Sequence, residues 1–271
     1  MPKTERRELE MAEKATLDEI VSMVLEVKAA EIRDVPPKVT NEEVEKLPLE
    51  NRPFLYASGN WGPGYVSIKN LVGRKKIIRF LTEQLAIQIV ETVPRLDFVL
   101  SSIDIDFVAG NVTGGMIPGW ILSETLEEML GKTVPFVYVR ELRKKGGQKE
   151  QITGIMNNPE ISPGMNGLVV EELVNFAQTT CNGVVILREA EYRATHAATI
   201  LFYDNPEAVK ALKDLDITMV YLFTLPDLLA AAEKQGVYPQ RAIADYRKFL
   251  TDPLGWQATR GLTPIERGGT I

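Results

Sequence analysis

Two hydrophobic periods alternate along the chain. Leu17, Ile20, Val21, Val24 and Val27 recur at helical spacing behind Thr16 and Glu19, a pair with the three-residue offset of a capping box. A helix is predicted from there to about Ile32. Ile77, Ile78, Leu81, Leu85 and Ile89 predict another over residues 74–91, and further helices are expected over 117–130 and 239–250. Between these stand short runs that are apolar at most positions, 106–109, 136–140, 167–170, 197–203 and 219–223, and a β-prone stretch, 65–71, that reads as a strand or strand pair. Strands apolar on both faces and separated by helices imply a parallel sheet covered on both sides. The predicted class is therefore α/β.

The ends of the chain read differently. Residues 34–52 carry Pro36, Pro37 and Pro48 among Glu and Lys. Proline lacks the N–H and fixes φ, so this stretch is predicted to be an exposed arm. After residue 250 the chain is rich in Gly and Thr with few apolar anchors, which predicts a tail that is mobile or docked on a partner subunit. The expected organisation is an N-terminal helix and arm over 1–53, a main domain over 54–238, and a C-terminal helix and tail over 239–271.

Composition narrows the function classes. Among 271 residues there is one Cys and one His, too few for a disulfide framework, a thiolate zinc site or a His-rich metal centre. The formal charge of -6 opposes broad binding to nucleic acid or anionic membranes. No run approaches the roughly 18 apolar residues of a membrane span, and the charged N-terminus does not resemble a signal peptide. A soluble cytoplasmic protein is expected.

Three segments could carry chemistry. Gly110-Asn-Val-Thr-Gly-Gly115 is a turn between strand and helix, where backbone N–H groups and a helix dipole could hold an anion such as pyrophosphate. Glu171 and Glu172 end a buried strand, where open α/β sheets bind ligands. Carboxylates there can accept hydrogen bonds from sugar hydroxyls or face a Mg²⁺ shell. Residues 140–149 are cationic and glycine-bearing, the composition of a loop able to close on phosphates. Taken singly, each segment also fits an ordinary turn, a solvated helix start and an exposed loop. Cys181 in a helical window and His196 at the start of an apolar run read as packing or surface residues.

Their order resembles the type I phosphoribosyltransferases, specifically the orotate phosphoribosyltransferases, over about residues 54–238. Ser58-Gly-Asn-Trp-Gly-Pro-Gly-Tyr65 is similar to the family's segment beside the base pocket, and residues 106–115 to its pyrophosphate loop. Residues 137–154 have the spacing of its mobile loop. Val169-Val-Glu-Glu172 stands where its diphosphate-sugar motif begins, and Tyr221-Leu-Phe-Thr-Leu-Pro-Asp-Leu-Leu229 resembles its C-terminal stretch.

The resemblance implies a phosphoribosyltransferase type I fold with a small N-terminal hood, and transfer of phosphoribosyl from phosphoribosyl pyrophosphate (PRPP) to a pyrimidine base with release of pyrophosphate. It implies catalytic roles for Lys144, Glu171 and Glu172. PRPP and pyrophosphate contacts would come from Asn111, Thr113, Gly114, Gly115, Arg140, Lys144, Asn175, Gln178 and Thr179, and base contacts from Ser58, Gly59 and Tyr65. It further implies Mg²⁺ as cofactor, PRPP with a pyrimidine base or nucleotide as ligands, and a homodimer or higher homo-oligomer.

Departures fall within the same motifs. Where the family has a glycine-bearing phosphate loop after its acidic pair, the ungapped register places Asn175-Phe-Ala-Gln-Thr179. The absence of glycine makes positive φ costly there. A shifted register would use Thr179-Thr-Cys-Asn-Gly183, but it shortens the following helix by about a turn. Glu141 replaces a cation of the mobile loop, Gly146 its His, and Ala57 a lysine before the Ser-Gly pair. A carboxylate facing pyrophosphate opposes electrostatic stabilisation. Two functions follow from the resemblance: a phosphoribosyltransferase of weakened or altered activity, or an inactive protein of the same fold acting as ligand sensor, regulator or assembly subunit.

Overall fold

The computed structural model describes residues 13–56, 59–92, 105–141 and 151–265. Helix α1 spans Leu17–Glu26, closed by the reciprocal Thr16–Glu19 capping box, and ends sooner than its apolar spacing predicts. Lys28 takes a left-handed φ of 55°, and the chain reverses into strand β1, Ala30–Ile32. Apolar residues at positions 29, 30 and 32 satisfy either period, and the reversal decides between them. The proline-rich arm is also more ordered than its composition suggests. It contains the one-turn helix α2, Asn41–Val44, and a 3-10 turn, Leu49–Asn51, with Val35, Val39 and Val44 buried.

Strands β2, Phe54–Leu55, and β3, Trp61–Gly62, pair antiparallel, and β4, Gly64–Val66, pairs antiparallel with β1. The stretch 65–71, predicted as a strand or strand pair, thus holds the end of one short strand followed by a 3-10 helix, Ile68–Gly73, leading into α3, Lys75–Thr92. Next come β5, Phe107–Asn111, α4, Met116–Leu130, β6, Phe136–Val139, and β7, Ile152–Thr153. Then follow β8, Gly167–Val174, α5, Gln178–Glu189, β9, His196–Phe202, α6, Pro206–Asp214, and β10, Thr218–Thr224. Helices α7, Leu225–Gln235, α8, Gln240–Thr251, and α9, Pro253–Arg260, complete the described chain.

The central sheet has the order β10-β9-β8-β5-β6-β7, parallel throughout except for β7. Alternate residues feed opposite faces, as the two-residue period of a strand requires. Val108, Leu168, Val170 and Ile200 pack with Leu81 and Leu85 of α3 and Leu122 of α4, whereas Ala109, Val169 and Ala197 pack with Val184 and Leu187 of α5. Both faces are covered, which is why the strands read as continuous apolar runs.

The first of these clusters also takes in Val21, Val44, Tyr246, Trp256 and Leu262, so arm, body and C-terminal helices share one core. The tail departs from expectation within its described part. Residues 262–265 dock on their own chain: Leu262 is buried, and Ile265 N–H donates to the Gly59 carbonyl at 2.9 Å. The few apolar anchors suffice because α9 delivers the segment directly onto the hood.

Candidate active site

Residues 111–115 connect β5 to α4 at the carboxyl edge of the sheet. Gly115 caps α4 with its Cα against the Val170 carbonyl, and Gly114 lies against the Glu172 carboxylate, so a side chain at either would overlap β8. Glycine is needed here for close approach. Asn111 is buried beneath the turn; its Nδ2 donates to Glu171 Oε1 at 2.9 Å and to the Thr179 carbonyl at 3.1 Å. One amide thus links β5, β8 and α5.

Strand β8 extends four residues past its predicted end, so Glu171 and Glu172 lie within it and leave it on opposite faces. Glu171 turns toward Asn111 and α5. Burial pushes its pKa to about 8, although the Asn111 hydrogen bond pulls the other way. Glu172 turns toward Gly114. Its pKa is also raised by burial, opposed by its own backbone N–H, by the Lys69 ammonium and by the N–H of Leu173.

The loop 175–179 resolves the register question. Thr179 to Gly183 are helical residues of α5, so the shifted register does not hold. Ala177, the N-cap of α5, takes φ 59° and ψ 9°, the left-handed conformation that glycine would adopt freely. No side chain caps α5, which leaves its first-turn N–H groups and positive dipole end directed at the cleft. Asn205 Nδ2 anchors the loop through the Asn175 carbonyl at 2.6 Å and Oδ1 at 3.1 Å. Phe176 stands exposed at the mouth.

These parts enclose an open cleft of ≈ 450 Å³. It brings together Thr113, Gly114, Glu171, Glu172, Asn175, Gln178 and Thr179, with Asn111 and Gly115 supporting them from behind. Arg140 is not in its wall. The guanidinium donates to Tyr138 Oη at 3.0 Å and Thr153 Oγ1 at 2.9 Å, at the root of the cationic loop. Gly59 lies in the hood under Ile265, and Tyr65, half exposed, stacks on Phe54 with ring centroids 5.7 Å apart. Ser58, Lys144, Ala57 and Gly146 lie outside the described residues.

Lys69 is a cleft residue that the sequence pattern did not single out. It was hidden in the run 65–71, where a strand reading gives a lone lysine no distinction. Cys181 and His196 do not line the cleft; burial raises the Cys181 thiol pKa, and His196 Nδ1 lies 2.9 Å from Thr195 Oγ1.

The parallel sheet, the glycine turn after β5, and the paired carboxylates in the second half of β8 define a protein of the type I phosphoribosyltransferase fold. Solved structures agree. UMP synthase of Leishmania donovani superposes with a TM-score of 0.59 at 18% identity, over 88% of this chain and 42% of that longer one. Orotate phosphoribosyltransferase of Francisella tularensis gives 0.57 at 10% identity, over 85% and 96%. That of Aeropyrum pernix gives 0.51 at 18% identity, over 82% and 99%.

Within that fold, the chain's sequence relatives are orotate phosphoribosyltransferases. It is 29% identical to that of Ruegeria sp. (strain TM1040) over 208 residues, 76% of this chain and 84% of the relative. Against that of Rhizobium meliloti it is 28% identical over 251 residues, 92% and 94%. No protein-family model matches the chain. Among the described residues, no helix is long and apolar enough to cross a membrane.

Proposed function

We propose that the protein transfers the phosphoribosyl group of PRPP to orotate, releasing pyrophosphate, as a step in pyrimidine nucleotide formation. The observation that carries this reading is the left-handed Ala177 at the start of α5. The loop lacks glycine, yet its backbone keeps the conformation that presents free N–H groups to an anion. With the Gly114 and Gly115 turn across the cleft, the site has one backbone cradle for each end of PRPP.

The chemistry asks the chain for positioning and charge compensation rather than a nucleophile. Glu172 faces the ribose side of the cleft. Glu171, held neutral near pH 7 by burial, is placed through Asn111, so it supports the turn and can donate to a ribose oxygen. Thr113 and the N–H groups of residues 113 and 114 would receive pyrophosphate, since the Gly115 N–H already donates to the Asn111 carbonyl at 2.9 Å, and Lys69 would offset its charge. The bond from C1 to the pyrophosphate oxygen breaks, a ring nitrogen of orotate forms the new bond to C1, and that nitrogen's proton passes to the departing pyrophosphate or to water.

Among the described residues, no group of three acidic, His or Cys side chains could hold a metal. Glu172, the carboxylate beside Gly114, would hold a Mg²⁺ ion brought in on the diphosphate oxygens, since Mg²⁺ is often bound by one or two carboxylates plus substrate phosphates, whereas a protonated Glu171 tied to Asn111 is not such a ligand. The ion would supply further charge neutralisation. We extend the reading to a homodimer or higher homo-oligomer, as the resemblance implies, and to a cytoplasmic location, as the composition implies.

Pyrophosphate release by purified protein with PRPP, Mg²⁺ and orotate tests the proposal. Orotate-dependent release below the usual enzymatic range of about 1 to 1000 per second is expected, because Phe176 crowds the phosphate side and Glu141 removes a cation. No release and no calorimetric binding of PRPP would overturn it. The same two residues favour a second reading, ligand binding without transfer; PRPP binding without release at any orotate concentration would select it.

A further inference from the structure

The C-terminal segment meets the hood at the loop that the resemblance assigns to the base. Gln257 is buried and lies 196 residues along the chain from Trp61; its Oε1 accepts the Trp61 backbone N–H at 3.0 Å. Its Nε2 donates to Asn60 Oδ1 at 3.2 Å. Trp61 Nε1 donates to the Thr263 carbonyl at 3.0 Å, and Ile265 N–H to the Gly59 carbonyl at 2.9 Å. Asn41 holds the segment from its other side, its Oδ1 accepting the Thr263 N–H and its Nδ2 donating to the Thr263 carbonyl, both at 3.0 Å. Gly59 itself has φ 83°, and the Ile265 carbonyl fills the space where a side chain would stand.

Besides these contacts, the loop is held by the short β2–β3 pairing and by two turn hydrogen bonds, Tyr56 N–H to the Asn60 carbonyl at 2.8 Å and Gly59 N–H to the Tyr56 carbonyl at 2.9 Å. Strands β2 and β3 are two residues each, and Gly59, Gly62 and Gly64 carry more backbone entropy to be lost than other residues would. Along the chain it leads through β4 into the 3-10 helix that carries Lys69, a residue of the cleft wall. A loop fixed before the ligand arrives does not draw its ordering cost from the binding energy.

We propose that residues 257–265 form an intramolecular strap that fixes the Gly59 to Trp61 loop and thereby sets affinity for the pyrimidine base, with Gln257 as its positioning residue. This rests on the phosphoribosyl-transfer reading above, in which the hood borders the base. The strap acts on the base side only, because PRPP is held by the β5 turn and the start of α5.

Two variants test it: Gln257→Met, which keeps the volume and removes both hydrogen bonds, and a chain ending at Leu262, which keeps the buried leucine and removes Thr263 and Ile265. Hydrogen exchange over residues 59–66 is read alongside steady-state kinetics. Protection of the loop should fall about tenfold and the orotate KM rise about tenfold, the scale of one to two lost hydrogen bonds, with the PRPP KM changed less than about twofold.

Unchanged loop protection would overturn the strap. Lost protection with an unchanged orotate KM, or equal rises in both KM values, would overturn its role toward the base. A wild-type protein that neither binds nor turns over orotate would refute the parent reading and the base role together, and the exchange measurement would still decide whether the strap holds the loop.

Discussion

Glu171 shows how one residue can carry both a site and a stability cost. Its neighbour Asn111 can donate a single hydrogen bond to it, which does not replace the water lost on burial, so the proton is retained up to about pH 8. The unfolded chain releases that proton near 4.5. Between these values the folded state binds more protons than the unfolded one, so stability declines as pH rises through this window. Glu171→Gln keeps an acceptor for Asn111 without the titration. Urea midpoints from pH 5 to 9 should therefore show the variant gaining on the wild type up to about pH 8 and levelling off above it; a gap that narrows with rising pH would show the opposite shift. Ala177 makes the complementary point. A left-handed alanine costs about 1 kcal/mol relative to glycine, and burial of its methyl returns about 0.8 kcal/mol, so the loop can do without glycine at little net cost.

At the scale of elements, α5 ties the site to the sheet. Gly183 sits in its middle, where glycine is worth about 1 kcal/mol less than alanine to an exposed helix. Propensity alone would make Gly183→Ala stabilising. The structure predicts the reverse, because the new methyl would enter the space of the buried Asn111 amide. Displacing that amide would also leave Glu171 without its donor. We expect a loss of about 1 to 3 kcal/mol in chemical denaturation and at least a tenfold loss of PRPP-dependent activity. A variant as stable and active as the wild type would mean that Asn111 is not the link it resembles. The β10 to α7 junction shows a helix start that the strand reading over 219–223 left without a partner element. Thr224 and Asp227 cap reciprocally, with Pro in the first turn, and strand passes to helix without a loop.

At the scale of the whole molecule, the C-terminal helices close the hood. Tyr246 of α8 is fully buried with its ring against Gly64, and its hydroxyl faces those of Tyr56 and Tyr203 without a well-formed hydrogen bond. Tyr246→Phe should therefore leave the urea midpoint unchanged or slightly raised, whereas Tyr246→Ala should cost about 3 to 5 kcal/mol through the cavity it opens. A large loss in the Phe variant would show that the phenol network matters more than the packing.

The sequence by itself determined the parallel sheet, the helices α1, α3, α4 and α8 and the position of the acidic pair toward the carboxyl edge of the sheet, because the two-residue and 3.6-residue periods and the glycine turn are local properties. It also marked Asn175 to Thr179 as unusual. Tertiary structure alone decided the rest. Whether residues 30–32 end a helix or start a strand, whether the arm and tail are buried, and how Lys69, Gln257 and Asn111 reach their partners all depend on contacts between distant residues. Gln257 and Trp61 stand 196 positions apart, and no periodicity spans that separation. The same holds for the phosphate loop: a missing glycine is visible in sequence, but the surrounding packing holds Ala177 in the conformation that glycine would have supplied.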